Sequence, residues 1–151
     1  MSRESEVVAY LRDDPDLGAL VPGGIYASAD LTPSGITDAD QTPDVWSGGF
    51  QPTLVVRERA NVPTGELVNL KSQAADSRQV VEVWAYALSA EAVGAVLAAV
   101  YALLQGHALT RSWGAEWAGS LAVMDAPELP PGTKVGRDEY AVRSIQRPVV
   151  V

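Results

Sequence analysis

Few residues in this chain combine the types and spacing that chemistry needs. The single histidine, His107, follows a long apolar run. A catalytic base there would need a serine nucleophile and an orienting acid, and no G-x-S-x-G frames any serine. Its simpler role is that of a residue at a helix C-terminus, where the dipole favours positive charge. Asp13, Asp14 and Asp16 form one acidic cluster, and Asp38 with Asp40 another. A calcium loop needs oxygen ligands at regular steps and a glycine at its sixth position. The run Asp38-Ala39-Asp40-Gln41-Thr42-Pro43 has neither, so these acids read as solvated loop charge. Gly132-Thr133-Lys134-Val135-Gly136 holds the components of a phosphate loop in the wrong order and away from a strand-to-helix junction, and reads as a turn. One histidine and no cysteine cannot supply the usual zinc ligands. The missing cysteines also remove disulfides and a thiolate nucleophile. Trp84, Trp113 and Trp117 have apolar neighbours in strand-like runs, which points to core or interface packing rather than stacking on sugars or bases. The expectation is a chain with no catalytic residue, no metal and no cofactor, whose role is structural or binding.

The composition narrows that role. With 151 residues the chain is long enough for one domain with a real core. The net charge of -8 argues against nonspecific binding to a nucleic-acid backbone, which needs a basic face. The first twelve residues carry Arg3, Glu4 and Glu6 and hold no apolar core of the kind a secretory signal has. The longest apolar helix expected covers only about 15 residues, short of the ~20 that a membrane span requires.

The element best defined by pattern runs over residues 78–106. Val80, Val81, Val83, Trp84 and Tyr86 give its first half strand character. Ser89 is a good N-cap and Glu91 suits a first helical turn. Val93, Val96, Leu97, Val100, Leu103 and Leu104 then recur at helical spacing, and Gly106 can close the helix. Alanines and Gly94 fill the rest of the circumference, with no charge after Glu91 until the helix ends. A helix apolar nearly all round is buried on more than one side, here a sheet and a candidate neighbouring subunit. Before it, residues 2–11 read as a short helix with Val7, Val8 and Leu11 inward and Arg3, Glu4 and Glu6 outward. Pro15 breaks that helix, with Asp16 capping one further turn. Residues 25–28 and 52–59 read as strands, and 66–70 as a second hairpin arm. Residues 113–124 read as a strand with Trp113, Ala115, Trp117, Gly119, Leu121 and Val123 on one face. Residues 137–146 read as the last strand. The stretch 29–51 is an irregular loop holding Trp46 and Phe50, which either fold it back onto the body or make it an arm for a partner. The fold expected is α+β: a mainly antiparallel four- to five-stranded sheet with a short N-terminal helix and one long helix on one face. One domain would span residues 1–151.

This layout resembles the tail terminator (tail completion) proteins of long-tailed bacteriophages. The residues that carry the likeness are Leu17, Leu20, Val21 and Ile25-Tyr26, then Pro52, Val55 and Val56 in QPTLVVRER, then Val81, Val83 and Trp84. The alanine-rich helix with Val93, Leu97, Val100 and Leu104 follows, and Arg143 with Ile145 matches more loosely. The likeness covers most of the chain, but as a pattern of apolar positions without a catalytic signature. It implies a virion protein of the phage neck, assembled in the host cytoplasm, with no enzymatic activity and no membrane. Such subunits form a homo-oligomeric ring of six that caps the tail tube protein, ends its polymerisation and meets the head-tail connector or stopper. DNA passes through the lumen without specific binding, which an acidic lining that includes Asp13, Asp14, Asp38 and Asp40 would suit. Other expectations are a head-completion, stopper or minor tail subunit and, from a different class, a small α+β enzyme or ligand-binding domain. The candidate interface residues are Trp46, Phe50, Arg57, Arg59, Ala95, Ala99, Ala102, Val149, Val150 and Val151.

Overall fold

The structure is a computed structural model and describes residues 3–30, 51–59, 62–63, 76–110, 112–126 and 132–145. Its elements are α1 (Arg3–Arg12), α2 (Pro15–Leu20), β1 (Ile25–Ala27), a 3-10 turn (Ser28–Asp30), β2 (Thr53–Glu58), β3 (Val62–Pro63) and β4 (Asp76–Ala87), followed by α3 (Ala90–Leu104), β5 (Ser112–Asp125) and β6 (Lys134–Ile145). The strands run in the order β1-β2-β4-β6-β5, and β3 adds a two-residue pairing to the start of β4. All pairings are antiparallel except β1 with β2, which is parallel. Parallel neighbours need a long crossover, and the stretch between Ala27 and Thr53 supplies one. The expected hairpin arm at 66–70 lies outside the described residues.

One core fills the space between the helices and one sheet face. Leu54 and Val56 of β2, Val81, Val83 and Ala85 of β4, and Tyr140 and Val142 of β6 meet Val93, Val96, Val100 and Leu104 of α3. Val7, Val8 and Leu11 of α1 and Leu17 of α2 close the same core. Each of the buried valines and leucines among them stabilises the fold by ~1.5–3 kcal/mol. Helix α3 begins as its sequence implies: the Ser89 side chain accepts a hydrogen bond from the Ala92 N–H at 3.1 Å. It lies close on β6 because Gly136 has no side chain. A Cβ there would stand 2.6 Å from Val93 Cγ1 and 3.2 Å from Leu97 Cδ1.

Three local expectations need correction. Asp14, not Asp16, caps α2: its carboxylate accepts from the Leu17 N–H at 2.8 Å, with Pro15 at the first helical position. Glu4 does not face outward but is buried, 7% exposed. Its carboxylate accepts from the Ala29 N–H (2.8 Å), the Glu58 N–H (2.9 Å) and the Ser28 hydroxyl (3.0 Å), which offsets the cost of burying it. Strand β5 does not keep one apolar face at period two. Its register against β6 shifts three times, between Ser112/Ala115, Trp117/Gly119 and Leu121/Met124. At the first shift Gly114 takes φ +124°, a value that favours glycine. Ala115 and Trp117 share the α3 side of the sheet, in unbroken register with Val142 and Tyr140, yet Ala115 is buried and the larger Trp117 stands exposed. Beyond Trp117 the two later shifts break the alternation, so Leu121 pairs with Arg137 on the other side.

Candidate functional site

The outer side of α3 and residues 117–124 of the edge strand β5 carry no charged side chain. No Asp, Glu, Lys or Arg occurs from Ala92 to Gln105 or from Trp117 to Met124. On α3, Gly94, Ala95, Ala98, Tyr101 and Ala102 face out. Leu88, Tyr101, Trp117, Val123 and Met124 are each 40% to 52% exposed, and Leu20 is the one other large apolar side chain so exposed among the described residues. Trp117, in register with Tyr140, and Val123, beside Gly136, lie on the α3 side of β5, whereas Met124, in register with Val135, lies on the other side, so the exposed apolar residues wrap the β5 edge. Scattered exposed apolar residues are ordinary, whereas grouped ones mark a contact surface.

Trp117 is held in place on that surface. Its backbone N–H donates to Gln105 Oε1 at 2.7 Å. Its side chain hydrogen-bonds the carboxylate of Asp138, for which the indole N–H is the donor. Asp138 is 8% exposed. Burial raises its pKa above the ordinary aspartate value, and the bond from Trp117 partly opposes that rise. Tyr140, two residues on, is buried, and its hydroxyl makes no hydrogen bond. Its pKa is raised, first by burial and then by the charges of Asp138 and Tyr101, so it stays a neutral phenol.

The sheet face away from the helices carries an ionic chain. Arg59 Nη2 lies 3.1 Å from Glu139 Oε1, Arg137 Nη2 lies 3.2 Å from the same oxygen, and Arg137 Nη1 lies 3.0 Å from Glu82 Oε2. The Arg137 guanidinium also sits 5.3 Å from the Trp84 ring centre. Glu82 is nearly fully buried, so its partner Arg137 is what makes its charge tolerable. Arg57, paired in register with Glu82, is exposed at the margin of the sheet.

The proposed interface residues thus fall in separate places. Ala95 and Ala102 are on the outer side of α3, while Ala99 leans into the core together with Ala92. Arg57 and Arg59 stand exposed at the end of β2. Trp46, Phe50, Val149, Val150 and Val151 lie outside the described residues, as do Asp38 and Asp40. Asp13 is exposed between α1 and α2, and Asp14 serves as the cap of α2. His107 stacks on Tyr10, with ring centres 3.7 Å apart and planes 8° from parallel, and the Tyr10 hydroxyl donates to the Leu103 carbonyl. It therefore helps join α1 to the end of α3. Among the described residues, no group of three His, Cys, Asp or Glu side chains converges as a metal site would, and no helix is long and apolar enough to cross a membrane. Sequence reasoning missed the Asp138–Trp117 pair. The one available signal was an acid at a position alternating with Tyr140 and Val142 on the buried side of its strand.

No family model matches the sequence, and no curated protein matches it. Among solved structures, the chain is similar to a chain from the virion of a native gene transfer agent (GTA) particle. The TM-score is 0.59, the identity is 19%, and the match covers 96% of this chain and 96% of that one. At that identity the likeness is one of fold, and it extends over nearly the whole length of both chains.

Proposed function

We propose that this chain is a structural subunit of a phage-like virion, acting as a tail terminator. In this reading a ring of subunits, six by the family resemblance, closes the end of the tail tube, stops its growth and offers a platform to the head connector. The ring works by shape and contact rather than catalysis, and DNA passes through it unread. The observation that carries the proposal is the end-to-end likeness of fold to a chain of an assembled virion particle. The charge-free outer side of α3 with residues 117–124 of β5 supports it, since a subunit that works by assembly needs such a surface.

Particles made without this chain are expected to carry tails of uncontrolled length, or tails without heads, and a density map of intact particles should place it as a ring at the head-proximal end of the tube. Density on the head side of the joint would make it a stopper or head-completion subunit. Particles that are normal without it would remove the structural reading.

A further inference from the structure

We propose that the β5 edge and the outer side of α3 receive a second copy of this chain, which approaches with the opposite margin of its sheet, where Arg57 and Arg59 stand. The inference rests on the ring reading above and specifies the contact that would build the ring. A closed ring needs a heterologous contact, made of two different surfaces of one chain. The sheet order β1-β2-β4-β6-β5 gives this chain two unlike margins on opposite sides.

The two margins complement each other in charge. At the β5 margin, Glu91 and Glu116 are exposed acids that border the charge-free surface. At the other margin, Arg57 is an exposed base, next to Arg59, which Glu139 already holds. An apolar centre with charged residues at its rim is the usual anatomy of a protein contact. Two copies that each carry -8 repel one another in general. A basic margin meeting an acid-rimmed neutral one is a pairing that lowers this repulsion. Among the described residues the α3–β5 surface offers a polyanion no cation beyond Lys134, which Asp125 already holds, so nucleic acid is a poor occupant. Trp117 is the natural anchor. Gln105 and Asp138 fix its position in the free chain, so little freedom is lost when a partner covers it.

The chain has no cysteine, which allows a direct test. Two single-cysteine chains, Glu116→Cys and Arg57→Cys, are mixed under mild oxidation. Both positions are exposed, so neither change disturbs the core. Crossed disulfide dimers should exceed the two like-with-like products several-fold. Trp117→Ala should weaken self-association by at least ~10-fold. Arg57→Glu alone should weaken it about two- to fivefold, with recovery when Glu116→Arg is added to the same chain. Crossed product absent both from the purified chain and from assembled particles overturns the contact. If rings still form at the tube end, the ring reading survives that result. If Trp117→Ala leaves self-association intact but abolishes binding to the tube protein, the occupant is the tube and not a second copy.

Discussion

Glu4 carries a carboxylate into the seam between α1, the end of β1 and the end of β2, and three donors meet it there. Its own backbone N–H donates to Glu58 Oε2 at 3.2 Å, and Arg3 reaches Gln79 Oε1 at the same distance, so the first turn of α1 is tied to two strands. Removing that carboxylate leaves two backbone N–H groups and a hydroxyl without their acceptor. Glu4→Ala should therefore cost about 3 kcal/mol, read as a lowered midpoint in urea. Asp138 behaves differently. Its folded pKa is raised above that of the unfolded chain, so the folded state takes up this proton first as pH falls. The ionised form thus weighs against the fold at neutral pH, and the penalty fades as pH drops through the raised value toward the ordinary one near 3.8. Asp138→Asn keeps an acceptor for the Trp117 indole and removes the buried charge. It should raise the melting temperature at pH 7 by more than at pH 4. A variant that melts below its parent at pH 7 would show that the charge-assisted bond from Trp117 outweighs the cost of burial.

Among the elements, α3 and the strands facing it were legible in the sequence because a single rule governs each. Ser89 caps the helix, and Val93, Val96, Val100 and Leu104 all point to the core at their expected spacing. Strand β5 was not fully legible. Its period-two pattern is visible in the residues, but bulges are set by pairing with β6, and pairing is not a property of one segment. Glu4 and Asp138 were hidden for a related reason. An acid in a sequence pattern reads as solvent-facing, and only tertiary structure brings the donors that make burial tolerable. Of the candidate interface residues, the arginines at the end of β2 are exposed as charge alone implies, whereas alternation alone would also expose Thr53 and Val55, which are buried. The orientation of each alanine on α3 could not be read from the sequence, because the helix is apolar on every side. Gly136 is the element-scale test of how closely α3 seats. Gly136→Ala places a methyl against the stiff, β-branched Val93 and should cost ~1–3 kcal/mol, measured by thermal melting. Pairing it with Val93→Ala should return most of that loss, since the smaller side chain makes room.

At the scale of the molecule, the sheet formed by the described residues is asymmetric. One margin is the three-residue β1 with the charged end of β2, and the other is the 14-residue β5. The first is too short to template another strand. The second is long and apolar, the kind of edge that in other proteins recruits further chains without limit. The three irregularities of β5 counter that tendency. A regular ladder of backbone hydrogen bonds needs donors and acceptors at a constant step, and each bulge puts the next pair out of phase. An incoming strand could match only a few residues before its hydrogen bonds failed. Side-chain contact across the same edge needs no such phase and is left available. The strand can therefore be sticky without being amyloidogenic, and what selects between a finite assembly and a fibre is the local spacing of peptide groups rather than the hydrophobicity of the residues that carry them.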